Sequence, residues 1–389
     1  VNILSIMNII YIDDYETLAA ACEQLQHSPV ICVDTEFHRE TTYYPQLALI
    51  QLSDGEQTLC VDPLAMTDLS PLLALFSNPQ IMKVLHASHQ DMEIFQHCFE
   101  VLPCPVFDTQ IAAGLLGYGE QVGYAALIRT LLDVDIDKSQ TRTDWMKRPL
   151  SQKQIDYAAS DVYYLAQAYQ IMVEQLQGLG RLQWLEEDFA ALSQPAQYQP
   201  DVGQMWKKVK GHQQLRGQQL AILQALASWR EQLAQQRDRP RRRILPDEAL
   251  IDICKQKPDS AAAILGLRSL QKCRLSSADA ETLSQEIARA RQLPKSDWPG
   301  LPQKHRATLT EDALVDCLTA LTKLKAEQHR INPTLLASRK QLEALVRGER
   351  DLPLLHGWRH AHVGQLLLDF LHNRVSLQVD SNQLITVSQ

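Results

Sequence analysis

The chain of 389 residues has no hydrophobic run approaching the ~20 residues of a membrane span, which excludes a helical integral membrane protein. It opens VNILSIMNIIYIDD, with no basic residue ahead of the apolar stretch, so no secretory leader is expected; Met7 offers a start that would make residues 1–6 an upstream extension. The eight cysteines (Cys22, Cys32, Cys60, Cys98, Cys104, Cys254, Cys273, Cys317) form no C-x-x-C pair and lack histidine partners at zinc-finger spacing. Zinc modules and a disulfide framework are thereby excluded, and reduced, buried thiols in a cytoplasmic protein are expected. Positive charge is scarce in residues 1–200, which carry 9 Lys/Arg against 26 Asp/Glu. The net charge of −8 hides a reversal: residues 203–295 carry 18 Lys/Arg against 9 Asp/Glu, and residues 296–389 are near balance at 11 against 10. An acidic part tethered to a basic one suggests a metal-dependent site beside a polyanion-binding module.

What is present begins with short apolar runs. Residues 8–12, 30–36, 47–52, 58–62, 82–86 and 106–108 read as strands, with Asp54-Gly55 as a hairpin signal between the third and fourth. Helical periodicity is expected over 14–24, where Leu18, Ala21, Cys22 and Leu25 form one stripe, and over 69–76, 89–97, 109–116 and 123–132. A polar loop covers 133–150. A long helix over 151–173 opens with a capping box, Ser151 and Gln154. A meander followed by strand–helix alternation implies a mixed sheet flanked by helices.

The pattern sets the domains at 1–192 for this α/β part, 193–212 as linker, 213–293 as one helical domain, 294–306 as a second linker, 307–375 as another helical domain and 376–389 as a tail that alternates weakly. Helices are expected over 213–236, 246–255, 258–265, 276–291, 310–328, 333–346 and 359–372. The two helical blocks read as one unit used twice: Ile244-Leu245-Pro246 and Ile331-Asn332-Pro333 recur at an offset of 87 residues.

The chemistry concentrates in carboxylates. Asp34 and Glu36 alternate at the end of an apolar strand and share a face. Like charges that close need a cation between them. Asp91 falls just after the strand 82–86, and Asp161 lies in an apolar helix four residues after Tyr157, on the same helical face. Four carboxylates so placed would hold two divalent metals ~4 Å apart, the arrangement for in-line attack of water on a phosphodiester. Tyr157 would orient that water or assist its deprotonation. Taken singly, Asp91 reads equally well as a helix-dipole carboxylate and Tyr157 as a core tyrosine. Asp108, which also ends a strand, reads as structural.

The segments VDTEF (33–37), HASHQDMEIF (86–95) and YAASD (157–161) resemble the three exonuclease motifs of the DEDD superfamily, with a tyrosine four residues before the last aspartate as in its tyrosine subclass. TYYPQLALIQL (42–52), FDTQIAA (107–113) and KSQTRTDWMKRPL (138–150) resemble the ribonuclease D family, and the helical tail resembles two HRDC domains. The resemblance implies a ribonuclease H-like α/β exonuclease domain followed by two all-α HRDC-like domains. It implies a 3′→5′ exoribonuclease that trims 3′-extended tRNA precursors to release 5′-mononucleotides, with Asp34, Glu36, Asp91, Tyr157 and Asp161 as the catalytic set. The four carboxylates would ligate two Mg²⁺ or Mn²⁺ ions. For RNA, Tyr43, Tyr44 and Trp145 are candidates to stack bases. Lys138, Arg142, Lys147 and Arg148 are candidates to grip phosphates near the site, with Arg237, Arg239 and Arg241, Arg242 and Arg243 contacting the RNA body. A DNA 3′→5′ exonuclease and a nucleic-acid-binding adaptor with a degenerate nuclease are the alternative readings. No membrane partner is expected, and no oligomer is implied.

Overall fold

Short apolar runs separated by turn residues build one six-stranded mixed sheet in the computed structural model, which describes residues 7–271, 273, 275–301, 305, 307–381 and 383–388. The question of residues 1–6 lies outside the described residues. The strands are β1 (Ile9–Ile12), β2 (Val30–His38), β3 (Gln46–Ser53), β4 (Thr58–Val61), β5 (Met82–Leu85) and β6 (Val106–Asp108), in the order β1-β4-β3-β2-β5-β6. β3 and β4 pair antiparallel about the Asp54-Gly55 turn, where Asp54 accepts from the amides of Glu56 and Gln57 at 3.0 Å and Gly55 takes φ +96°. β1–β4, β2–β5 and β5–β6 are parallel, which puts the C-terminal ends of β2 and β5 side by side.

The helices of this half are α1 (Tyr15–Leu25), α2 (Ser70–Ser77), α3 (His89–Phe99), α4 (Thr109–Leu116), α5 (Tyr124–Leu132), α6 (Gln152–Gly178) and α7 (Glu186–Leu192). In α1 the expected stripe is the buried face, and Asp14 caps the helix through the Thr17 amide. α6 opens on the Ser151–Gln154 capping box and outruns its expected end at 173.

The remaining helices are α8 (Gln218–Gln236), α9 (Arg241–Ile244), α10 (Asp247–Gln256), α11 (Ala261–Leu265), α12 (Ser277–Gln292), α13 (Leu309–His329), α14 (Pro333–Leu336), α15 (Arg339–Val346), α16 (Gly357–Arg359) and α17 (Gln365–Leu371), with a π turn joining the last two. Two departures have local causes. α8 starts at 218 rather than 213, because Gly217 takes φ +51° outside the helical region. The 333–346 stretch splits because Ala337 is extended and Ser338 caps α15. The stretch 193–212 carries short 3-10 turns, and Met205, Trp206 and Val209 are buried. In 294–306 a turn over Lys295–Asp297 is described, and residues 302–304 and 306 lie outside the described set. The tail forms a hairpin of β7 (Val375–Asp380) and β8 (Gln383–Ser388). α9 and α14 begin 92 residues apart, as do α10 and α15. The 87-residue offset instead aligned Pro246, which precedes α10, with Pro333, which opens α14.

The chain divides into two compact units. One takes in residues up to 36, 48–194 and from 305 onward; the other combines 37–47 with 195–304. In the first, the block α13–α17 shares one hydrophobic core with α4, α6 and the sheet. Leu335 packs against Gly114. Gly117 ends α4 at φ +84°, where a Cβ would stand 2.9 Å from the Arg330 carbonyl oxygen. Arg181 bridges the two parts, donating to the carbonyls of Leu115 and His329 at 2.6 Å each. Trp184 stacks on Trp358 at 4.8 Å and 11°, with His362 at 4.1 Å and His329 at 5.4 Å. The second unit has its own core around α8, α10 and α12.

Burial, His362 and the cations Arg181 and Lys325 hold His329 below the ordinary imidazole pKa, and burial with Lys325 and Arg181 does the same for His362. A histidine whose pKa falls on folding binds its proton less readily folded than unfolded. Its contribution is complete above the unfolded value of ~6.5 and is lost as pH drops below it toward the folded value. Acidification from about pH 7.5 to 5.5 should therefore lower the melting temperature of the wild type relative to that of the variant carrying His329→Gln with His362→Gln. Equal slopes in the two proteins, followed by calorimetry, would refute this account.

Candidate active site

The buried strand β2 ends its apolar run at Val33 and delivers Asp34 and Glu36, both half-buried, to a common edge. Asp91 stands in the first turn of α3, beyond the end of the neighbouring β5, and is buried. Asp161 is buried in α6, with Tyr157 one turn earlier. The four carboxylates act on one another electrostatically. Burial, then Asp161, raises Asp34 well above the ordinary carboxyl range. Burial, then Asp34, Asp161 and Asp91, pushes Glu36 up to about 10. Burial and Asp34 raise Asp91. Burial takes Asp161 to about 7 against the opposing hydrogen bond from Tyr157. The Tyr157 hydroxyl is itself raised by burial and by Asp161, Glu36 and Asp34. All five residues are thus brought together within one unit.

Among the described residues no three His, Cys, Asp or Glu side chains are gathered as closely as the ligands of one bound ion. The donor set still fits a hard divalent cation: it is all oxygen, and its charges oppose one another until a cation neutralises them.

Hydroxyl groups support the carboxylates. Thr35, between Asp34 and Glu36, donates to Asp91. Tyr124 of α5 donates to the backbone carbonyl of Asp161 and lies edge-on to His86 at 5.6 Å. The Thr141 hydroxyl is 3.4 Å from that of Tyr157. No sequence signal marked these three, because a hydroxyl leaves no trace in periodicity or charge. Asp108 is structural: it caps α4 and accepts from Ala87 and Ser88.

The residues expected to hold RNA divide. Lys138, Arg142 and Lys147 are exposed in the loop before α6. Trp145, expected to stack a base, is 4% exposed and packs beneath Tyr157 with ring centroids 6.1 Å apart, so it has no free face. Arg148, expected to grip a phosphate, is half-buried and bound to Asp62 at 2.5 and 2.7 Å. Tyr43 and Tyr44 belong to the other unit rather than to the unit of the carboxylates. There the Tyr43 hydroxyl bonds Glu231, its ring lies under the Arg241 guanidinium at 5.7 Å, and both tyrosine amides donate to Asp238 at 3.0 Å. Arg241 is also paired to Glu231 at 2.8 Å, and Arg237 to Asp279 at 2.7 Å. Arg239, Arg242 and Arg243 are exposed around a cavity of about 300 Å³.

Two family models define the class, a 3′→5′ exonuclease carrying a helical accessory domain. Residues 9–177 match the family model described as 3′-5′ exonuclease, and residues 219–293 match the HRDC domain model. The Ribonuclease D of Granulibacter bethesdensis is 40% identical over 372 residues, covering 95% of this chain and 94% of its own length. That of Gluconacetobacter diazotrophicus is 38% identical over 371 residues, again covering 95% and 94%. The crystal structure of Escherichia coli RNase D, an exoribonuclease involved in structured RNA processing, is similar at a TM-score of 0.81 and 33% identity, covering 94% of this chain and 99% of that one. The chain belongs to the ribonuclease D family and is a 3′→5′ exoribonuclease.

Proposed function

We propose that Asp34, Glu36, Asp91 and Asp161 hold two divalent cations, Mg²⁺ or Mn²⁺, and that Tyr157 is the tyrosine of the DEDD tyrosine subclass. The observation that carries this is the mutual perturbation of the four carboxylates, each raised by burial and three of them raised further by the others. The cations would supply Lewis-acid polarisation of the scissile phosphodiester and of the attacking water. The chain's own residues do the rest. Thr35 orients Asp91, and Tyr124 fixes the Asp161 backbone. The Tyr157 hydroxyl, next to Asp161, positions the water and receives its hydrogen bond.

The substrate we infer is the 3′-extended end of tRNA precursors, shortened one 5′-mononucleotide at a time. The relation to an enzyme of structured RNA processing and the basic helical unit support this reading. The block α13–α17 we read as a second HRDC-like domain, since its helix order and 92-residue offset follow those of α8–α12. Eight free cysteines suit a cytoplasmic location.

A time course on 3′-extended tRNA labelled at its 5′ end, with Mg²⁺ and with EDTA, tests the assignment. A metal-dependent ladder receding from the 3′ end is expected. Equal rates on matched DNA and RNA strands would reject the substrate class. Arg242, which faces Glu248 at 3.6 Å, and Arg243 are two of the exposed cations through which the first helical domain would contact RNA. Arg242→Gln with Arg243→Gln should weaken binding and reduce the salt slope, d log K/d log [salt], by roughly 1.5. An unchanged slope in a salt titration would exclude them.

A further inference from the structure

The loop before α6 reaches the site twice. Its Thr141 hydroxyl lies 3.4 Å from the Tyr157 hydroxyl, and its Trp145 ring underlies the Tyr157 ring at 6.1 Å. What holds this loop is Arg148. A guanidinium has five N–H donors, and here five acceptors take them. Nε donates to Asp62 Oδ2 at 2.5 Å, and Nη2 donates to Asp62 Oδ1 at 2.7 Å and to the Ala48 carbonyl at 2.6 Å. Nη1 donates to the carbonyls of Trp145 at 2.7 Å and Lys147 at 3.0 Å. Asp62 is 3% exposed at the end of β4 and also accepts from Tyr11 of β1 at 2.5 Å. No donor of Arg148 is left for a phosphate.

We infer that the Arg148–Asp62–Tyr11 latch is a positioning device for the reaction: by fixing the loop it sets, through Trp145 and Thr141, where the Tyr157 hydroxyl stands beside Asp161. The inference rests on the reading of Tyr157 as the group at the attacking water. A side chain at a reacting centre holds its place only when its supports are fixed, and a misplacement of about 1 Å costs roughly a hundredfold in rate. Trp145 is the lever: its backbone carbonyl is bonded to the latch and its ring to Tyr157. Arg148 is therefore not interchangeable with lysine, which supplies charge without the planar fork.

The test is a double-mutant cycle on the full chain with Mg²⁺ and a labelled single-stranded RNA, measuring kcat and KM separately. Arg148→Met and Arg148→Lys should each lower kcat by roughly 10- to 100-fold with KM within about twofold of wild type. In the Tyr157→Phe background, itself slow, either change should cost less than about threefold more, because the group it positions is already gone. Thr141→Val, at an exposed position that leaves the latch intact, should lower kcat several-fold and likewise add little to Tyr157→Phe; it serves should the Arg148 variants fail to fold. Fully multiplicative losses in both cycles, with Tyr157→Phe impaired, overturn the latch. A raised KM with a shallower salt slope and unchanged kcat overturns it in favour of a phosphate contact. Wild-type activity in Tyr157→Phe removes the reading of Tyr157 and the latch with it.

Discussion

Asp34→Asn should abolish shortening of RNA while leaving RNA binding in place. Asp34 stands at the centre of the carboxylate group, perturbed by Asp161 and in turn perturbing Glu36, Asp91 and Tyr157. An amide of the same shape keeps the strand and its packing but would remove one of the proposed charged oxygen ligands. The lost transition-state stabilisation amounts to several kcal/mol, a rate loss of roughly a thousandfold or more. Single-turnover cleavage of a 5′-labelled RNA measures the rate, and a filter assay without Mg²⁺ measures binding. The buried, mutually raised pKa values add an accompanying sign. Cation uptake must displace protons from these groups, so wild-type Mg²⁺ affinity should rise with pH and protons should be released on binding. Retained activity in Asp34→Asn would separate the carboxylates from the chemistry altogether.

Asp247→Ala should destabilise the second unit by about 3–5 kcal/mol. Arg230 is 3% exposed and donates to Asp247 and to the Leu245 carbonyl at 2.7 Å each. Among the described residues its Nε has no hydrogen-bond partner, so its buried charge depends heavily on this carboxylate. Burial, with the nearby Arg241 charge, holds the Arg230 pKa below the usual guanidinium value even with Asp247 and Glu231 opposing it. Removing Asp247 leaves a cation in the core between α8 and α10. Replacing both partners, Arg230→Met with Asp247→Leu, should recover most of the loss, since neither charge is then stranded. Urea unfolding followed by tryptophan fluorescence reports the change through Trp206 and Trp229; an unmoved midpoint in Asp247→Ala would refute it.

How much of this was legible in the sequence depends on the kind of signal. The stripe Leu18, Ala21, Cys22 and Leu25 foretold the buried face of α1 because helical period and burial are the same geometric fact. The carboxylates could be found because each sits at a strand end, in a first helical turn or among apolar neighbours where a charge is out of place. Charge alone misled. Arg148 reads like Lys147 beside it, yet one is spent on Asp62 and backbone carbonyls while the other is exposed. Trp145 lies in a polar loop and is buried all the same. Tyr43 and Tyr44 follow the catalytic strand by a few residues, but long-range bonds to Glu231 and Asp238 decide their place. The repeat offset failed for a similar reason. Two Ile-x-Pro matches fell on different helix starts, whereas α9 with α14 and α10 with α15 begin 92 residues apart.

The sharing of one core by α4, α6 and α13–α17 has a consequence for the order of synthesis. A ribosome makes the exonuclease sheet first and the helices α13–α17 that complete its core only after the whole first helical unit. At roughly 5–20 residues per second, the surfaces of Gly114 and Trp184 that Leu335 and Trp358 later cover stay open until those residues emerge, an interval on the order of ten seconds. The nascent nuclease therefore passes through a stage with its sheet made and its core incomplete, exposed to chaperones and proteases. Its core closes with α13–α17 rather than with the domain that carries the chemistry.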